Sequence, residues 1–220
     1  MKASAILILA LLMFYSCDEN RKNAQSRTTL NKTEIAEKQS GSAKIQPSSE
    51  EKNVKDVQYD VKITIAEKYI DITYTVKNSS DKSYLVFNYG DTRKGLQKGK
   101  VYVEPQKDGT VELSQRMFTA PKGDNSCPAR ETAVLPGATL LKAGQSISET
   151  ARVALSLKYN TPFDDCDPKP EMPKEVKKVK FCLGIAEADP KQVKIKDGYV
   201  EGWQGVKKQQ LLCSEIKEIK

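Results

Sequence analysis

The residues with the most reactive side chains in this sequence are its five cysteines, Cys17, Cys127, Cys166, Cys182 and Cys213. They are widely spaced, and none forms the closely spaced CxxC pair that structural zinc sites usually use. The chain contains no histidine. It therefore cannot build a Ser-His-Asp triad, a Cys-His pair or an HExxH zinc site. From these ligand types we predict neither a metal ion nor any other cofactor.

The first cysteine follows a short apolar segment at the start of the chain. Lys2 supplies a positive charge, and residues 3–15 carry no charge. This stretch is too short to cross a hydrocarbon core of about 30 Å, which requires about 20 helical residues. A basic start, a short apolar run and a small residue before the cleavage point are typical of a secretory signal. We therefore predict an exported protein whose signal peptide, residues 1–16, is removed after Ser16.

The segment LMFYSC at residues 12–17 resembles the lipobox of bacterial lipoproteins. The resemblance implies that the thiol of Cys17 receives a diacylglycerol and that signal peptidase II then makes Cys17 the new N-terminus. Phe14 and Tyr15 are bulkier than the residues that usually occupy these positions. The resemblance covers residues 1–17 alone and implies a lipid anchor in the membrane. The alternatives are an ordinary signal peptide followed by an unmodified cysteine, and an N-terminal anchor helix that is never cut.

The residues after Cys17 bear on where such an anchor would be inserted. Asp18 directly after a lipidated cysteine resembles the inner-membrane retention signal of enteric bacteria. In other bacterial groups, acidic residues at this place, here Asp18 and Glu19, resemble a surface-export signal. We expect the outer membrane or the cell surface rather than the inner membrane.

Residues 18–55 have the composition of a disordered linker. They contain no aromatic residue, and their large aliphatic residues number only four. Such a segment cannot bury enough apolar surface to offset the entropy of ordering its backbone. A coil of this length spans roughly 31–37 Å, which would hold a domain clear of the lipid headgroups. We place the lipidated cysteine and linker at residues 17–56 and a single domain at residues 57–220.

The elements of that domain follow from alternating apolar and polar residues, which mark half-buried antiparallel strands. No helix longer than two turns is indicated. Short strands separated by frequent turn residues predict an all-β fold, an antiparallel β-sandwich. Its architecture resembles that of immunoglobulin-like domains, without a family motif. The clearest alternating runs lie at residues 57–65, 70–76, 147–157 and 179–185.

The four cysteines that follow Cys17 form an even set in an exported chain, where an oxidising compartment favours disulfides. Four cysteines allow three pairings, which the sequence alone does not separate. We favour Cys127–Cys166, between two polar loops that contain proline, and Cys182–Cys213, between a strand and a C-terminal apolar segment. Cys182 points away from the apolar face of its strand, so we expect its partner to come from an element that covers the sheet on that side. Zinc held by four thiolates is the alternative.

The loops that the first predicted disulfide would join also carry acidic side chains. Calcium prefers six to eight oxygen ligands, so these side chains are a candidate calcium site. Their spacing does not match an EF-hand loop, and solvated aspartates beside prolines are the commoner outcome. We therefore predict no metal site here. The candidate ligands are Asp124, Asn125, Asp164, Asp165 and Asp167.

Lysines concentrate toward the C-terminus of a chain whose net charge is +7. A basic face could contact anionic lipid, lipopolysaccharide or another acidic polymer. Lysine alternating with apolar residues also protects an edge strand from aggregation, and we favour that structural role. Aromatic residues between the lysines are too few to stack single-stranded nucleic acid, which we do not expect as a partner. The lysines are Lys174, Lys177, Lys178, Lys180, Lys191, Lys194, Lys196, Lys207 and Lys208.

Trp203 is the single tryptophan, and the glycines near it predict a flexible loop or turn. An exposed aromatic ring in such a loop would suit the centre of a binding surface. A ring packed against one end of the sandwich would instead belong to the core. We favour the core.

No catalytic motif stands out: the sequence has no convincing SxxK, GxSxG, phosphate-binding glycine loop or acidic pair. We therefore predict that the protein is not an enzyme. We expect a lipid-anchored envelope protein of unknown biochemical task that binds or braces another envelope component. The alternative is an inhibitor of secreted or periplasmic proteases that presents residues 119–131 or 161–173 to an active site. A rigid, disulfide-tied loop suits that role because it loses little entropy on binding.

Overall fold

The computed structural model of the chain describes residues 56–92, 95–119, 134–166 and 168–219. All belong to the second of the two units into which the chain divides, Gln46–Lys220. The predicted signal peptide, the lipidation site Cys17 and the linker up to residue 55 lie outside the described residues. The strands are β1 (Val57–Ile65), β2 (Tyr69–Asn78), β3 (Ser83–Val86), β4 (Tyr102–Pro105), β5 (Val111–Gln115), β6 (Thr139–Leu141), β7 (Ser146–Ala154), β8 (Lys178–Ala188), β9 (Lys194–Lys196), β10 (Tyr199–Glu201), β11 (Gln210–Cys213) and β12 (Lys217–Glu218), and a 3-10 helix covers Trp203–Gly205.

The smaller sheet contains three antiparallel strands in the order β1-β2-β7. β1 and β2 form a hairpin closed by a hydrogen bond from the Ala66 N–H to the Tyr69 carbonyl, 2.8 Å long. Every second residue of β2 is buried, as alternation predicts for a sheet with one wet face. The buried apolar side chains of β2 are Ile70, Ile72, Tyr74 and Val76.

The larger sheet is organised around β8, an 11-residue strand. The sheet follows the order β4-β5-β8-β3-β6, and β11 and β12 also pair with β8. The pairing of β5 with β8 is parallel, whereas we expected an antiparallel sandwich throughout. Parallel neighbours require a crossover connection, and here the chain between β5 and β8 passes through β7 of the other sheet.

The two sheets face each other across one hydrophobic core, which confirms the predicted all-β sandwich. The core takes side chains from β2 and β7 of the smaller sheet and from β3, β5, β8 and β11 of the larger sheet. The rings of Tyr74 and Phe181 stack across the interface with their centroids 5.6 Å apart. The buried Tyr74 hydroxyl donates a hydrogen bond of 2.9 Å to Oε1 of Gln115 on β5. This contact satisfies two polar groups in the centre of the sandwich.

The larger sheet is also covered on its outer face. One covering cluster contains Leu85, Phe87 and Ala186 beneath the β9–β10 hairpin and the 3-10 helix. Another contains Tyr102, Phe118, Val134, Phe163 and Cys166. Burial on both faces explains why the middle of β8 is buried almost without interruption.

Candidate functional site

The disulfide Cys182–Cys213 is present, which confirms this predicted pair. The two cysteines lie directly opposite each other on the antiparallel neighbours β8 and β11, with Cα atoms 4.1 Å apart. We expected Cys213 to come from an element covering the sheet, and this was wrong. Leu212 belongs to the core between the sheets, so β11 is a strand of the same sheet and Cys213 points to its outer face. The bond therefore ties two neighbouring strands together.

The second predicted pair lies partly outside the described residues. Cys166 is buried and disulfide-bonded, and Cys127 is outside the described range, so the pairing Cys127–Cys166 stays a prediction. Of the calcium candidates, Asp124, Asn125 and Asp167 are also outside that range, which leaves Asp164 and Asp165. Within the described part, no three His, Cys, Asp or Glu residues are grouped so that they could hold a metal ion.

The two loops considered for protease inhibition are placed differently. Residues 120–131 lie outside the described range. In the other loop, Thr161, Phe163 and Cys166 are all buried, so its first half packs on the larger sheet. Asp165 is exposed, and a continuous exposed stretch follows at residues 168–171. A protease could therefore reach a short segment of this loop.

The lysines singled out in the sequence do not form one face. Lys178 stands at the start of β8 opposite Glu218, whereas Lys207 contacts Glu187 near the end of β8. Nine residues of strand separate these two places, which corresponds to about 30 Å. The Glu187 carboxylate accepts hydrogen bonds from Lys207 at 2.6 Å and Lys82 at 2.9 Å, and these hold the pKa of that carboxyl below its usual value.

The β9–β10 hairpin carries two lysines on its outer side, and the exposed Glu201 stands directly opposite Lys194 there. Lys194, Lys196 and Tyr199 are exposed on its outer side, and the Tyr199 side chain is 47% exposed. Lys196 and Tyr199 are directly opposite in the register. We term these three residues the hairpin surface.

The hairpin turn explains why this surface is fixed. Asp197 and Gly198 both have positive φ, 51° and 84°, as a two-residue hairpin turn with the right twist requires. The Gly198 carbonyl accepts a hydrogen bond of 2.9 Å from the Ala138 N–H. A Cβ at Gly198 would approach the Tyr89 ring to 2.8 Å, so only glycine allows this close contact. Ile195 and Val200, on the inner side of the hairpin, pack against the covering cluster of Leu85, Phe87 and Ala186. These contacts fix the position of both strands and of the turn between them.

Trp203 packs against a buried cluster, as we favoured, but this cluster lies on the outer face of the larger sheet and not at one end of the sandwich. Its ring stacks on Phe87 with the centroids 6.3 Å apart and an angle of 16° between the planes. The surrounding stretch is more regular than the flexible loop we expected, because residues 199–201 form β10 and residues 203–205 form the 3-10 helix. Trp203 therefore packs against the same buried cluster as Ile195 and Val200 of the hairpin, and it remains half-buried.

Four charged side chains that the sequence does not group, Lys180 among them, form a cluster on the outer face of the larger sheet. Glu104, Glu112 and Lys180 lie side by side on β4, β5 and β8. The Arg116 guanidinium reaches Glu104 Oε2 at 2.8 Å and Glu112 Oε1 at 3.0 Å. Lys180 Nζ is 3.6 Å from Glu112 Oε2. Two positive charges thus compensate two carboxylates.

This charged cluster is largely shielded from water. The Glu112 side chain is 7% exposed and that of Arg116 is 20% exposed. Burial raises the pKa of Glu104, although the nearby Arg116 charge opposes the shift. Arg116 also lies over the Phe118 ring, with its guanidinium carbon 4.1 Å from the ring centroid. The arrangement is that of an ion-pair network which holds β4, β5 and β8 together.

Comparison with known proteins finds no family model, no curated protein and no solved structure that matches the chain. The immunoglobulin-like topology therefore stays a prediction, whereas the sandwich rests on the strand pairings themselves. In the ranges that the structure describes, no helix is both long enough and apolar enough to cross a membrane.

Proposed function

We propose that this chain is a lipid-anchored protein of the bacterial cell envelope whose β-sandwich acts by binding or bracing another envelope component, not by catalysis. The disulfide Cys182–Cys213 is the observation that carries the proposal. Disulfides persist in exported proteins and are rare in the cytosol. The disulfide thus agrees with the export signal in residues 1–17, although the two features lie at opposite ends of the chain.

The anchor in this proposal is a thioether-linked lipid on Cys17, followed by the polar linker. A lipidated N-terminus holds the chain at one leaflet without a membrane-spanning segment. The linker separates the sandwich from the headgroups by roughly 31–37 Å. A domain on such a linker meets partners displayed across the envelope rather than the lipid directly beneath it.

Within this proposal, the hairpin surface is the contact for an anionic partner, because its two lysines outnumber the exposed Glu201 that stands opposite Lys194. Lys194 and Lys196 supply positive charge, and Tyr199 supplies an exposed ring with a polar end. The surface is fixed before binding by the Gly198 contacts, so little conformational entropy would be lost on association. Within the described residues this hairpin pairs with no further strand, and lysines also protect such edges, so charge reversal is the direct test of the binding role.

Replacing Cys17 by alanine tests the anchor. We expect Cys17→Ala to leave an unprocessed precursor or to release the protein from membranes, whereas the control Asn20→Ala should still partition into detergent. Fractionation with phase separation measures both. Detergent partitioning of a mature-sized Cys17→Ala product would contradict the lipid anchor.

Charge reversal at two positions tests the hairpin surface. We expect K194E/K196E to weaken binding to purified lipopolysaccharide about tenfold at low salt, because both favourable contacts become repulsive. The matched control K177E/K178E makes the same charge change at the start of β8, whereas the hairpin follows the end of that strand. Equal weakening by the two variants would show a response to net charge alone and would remove the assigned surface.

A further inference from the structure

β1 forms one edge of the smaller sheet, and within the described ranges it pairs only with β2. It runs for nine residues without proline, and its register against β2 is continuous. The side chains on its inner face are only half-buried, whereas Ile70 and Ile72 of β2 are completely buried. The half-buried residues are Val57, Tyr59, Val61, Ile63 and Ile65. A long, regular edge of this kind is open to another strand.

Two hydrogen bonds show which residues of β1 direct their backbone groups to β2, and therefore which residues direct them to the open edge. The Ser79 N–H donates to the Asp56 carbonyl at 2.8 Å, and the Ala66 N–H donates to the Tyr69 carbonyl at 2.8 Å. Both bonds involve an even-numbered residue that directly flanks β1. Because antiparallel strands alternate between bonded and non-bonded pairs, the even-numbered residues of β1 face β2 with their backbone groups. The odd-numbered residues therefore direct their N–H and C=O groups to the open edge.

The outward side chains of β1 carry one charge of each sign around a central residue. Asp60 and Lys62 flank Val61, and both are exposed. Neither side chain makes an ion pair within the described part of the chain. Their neighbours on β2 are uncharged, because Asp60 stands opposite Thr75 and Lys62 stands opposite Thr73. A second copy that runs in the opposite direction therefore presents a lysine where the first copy presents an aspartate, and an aspartate where the first presents a lysine.

We propose that this edge binds the same edge of a second copy of the chain, antiparallel, with a two-fold axis through Val61. This register places Asp60 of each copy opposite Lys62 of the other. It also places odd-numbered residues opposite odd-numbered residues, so the backbone groups at both edges can bond to each other. The two charge pairs then occupy non-hydrogen-bonded positions, where opposed side chains are closest.

The neighbouring registers are unfavourable. An axis through Asp60 would place Asp60 opposite its own copy, and an axis through Lys62 would do the same with lysine. Like charges directly opposite each other are destabilising. Only the axis at Val61 combines complementary charges with matching backbone groups. The result is a continuous six-stranded sheet joined by about ten hydrogen bonds, two for each facing pair.

A charge swap tests both the association and its register. The full-length chain in detergent of matched density is measured by sedimentation velocity over a range of concentrations. We expect the wild type to dimerise, and Asp60→Lys or Lys62→Asp alone to weaken dimerisation about tenfold or more, because both charge pairs become repulsive. All substituted side chains are exposed, so folding is preserved.

Two further samples separate this register from other associations. The double variant D60K/K62D should dimerise like the wild type, and a mixture of D60K with K62D should form heterodimers, since opposite charges again face each other. The control Lys77→Asp changes an exposed lysine on β2, away from the edge, and should not affect dimerisation. A monomer at all concentrations, or a dimer insensitive to these charges, would overturn the proposal.

Discussion

Replacing Arg116 by methionine should destabilise the domain strongly although the residue is partly exposed. Its guanidinium is the positive group closest to both Glu104 and Glu112, at 2.8 and 3.0 Å. Methionine keeps the apolar part of the side chain but removes the charge, together with the guanidinium that lies over the Phe118 ring. The change leaves Glu112 buried beside Lys180 alone, which is 3.6 Å away.

The expected size follows from the burial of that carboxylate. Breaking a buried ion pair by removing one partner costs about 3–5 kcal/mol, because the remaining charge is uncompensated. Lys180 retains part of the compensation, so we expect a loss near the lower limit, about 3 kcal/mol. For a domain whose total stability is about 5–15 kcal/mol, this is a large fraction.

The loss should depend on pH in a defined direction. Burial raises the pKa of Glu104 in the folded protein. A carboxyl group with a raised folded-state pKa destabilises the fold when it is ionised, and this effect disappears as the pH falls through that pKa. Without Arg116, Glu104 loses the positive charge that opposes the upward shift of its pKa, so the pKa rises further. The difference between R116M and the wild type should therefore be largest near pH 7 and shrink as the pH approaches 4.

Urea unfolding at several pH values measures this difference, provided that the m-value is unchanged. The control is R152M, which removes an exposed guanidinium from its pair with Asp71 and should change the stability far less. R116M/E112Q should recover part of the loss, because one of the two carboxylates that lose Arg116 is then neutral. If R116M behaves like R152M, or if its deficit does not vary with pH, the buried cluster does not stabilise the sheet as described.

Three other changes have definite expected outcomes. Replacing Cys182 and Cys213 together by serine should lower the free energy of unfolding by about 4 kcal/mol in the chain-entropy estimate for a separation of 31 residues, and urea unfolding with a loss below about 1 kcal/mol would contradict it. Deleting residues 20–55 should leave the melting temperature almost unaltered, because a linker contributes few contacts, and a fall of several degrees would show that it docks on the domain. Tyr74→Phe should cost about 1–2 kcal/mol because buried Gln115 loses its donor, and an unchanged unfolding midpoint would refute that.

The smaller sheet was predicted well because one of its faces meets water. The alternating run at residues 57–65 coincides with β1, and the runs at 70–76 and 147–157 largely match β2 and β7. β8 was predicted too short, since it spans Lys178–Ala188. Its C-terminal half is covered on both faces, so alternation is lost there.

Long-range pairing set the limit of sequence-based prediction. The charged cluster depends on β5 lying parallel to β8, and nothing local in the sequence fixes that neighbour. Glu104, Glu112 and Lys180 therefore look like unrelated surface residues until the strands are aligned. The hairpin at Asp197-Gly198 did carry a signal, because Asp-Gly favours a two-residue turn. Its strands of three residues each are too short for alternation to mark them.

The lipid anchor is the central claim, and mass spectrometry of the N-terminal peptide of the purified membrane-bound protein tests it most directly. We predict a chain that begins at Cys17, with a diacylglycerol linked through its sulfur atom. A chain that begins elsewhere, or a Cys17 that carries a free thiol or a disulfide, would contradict it.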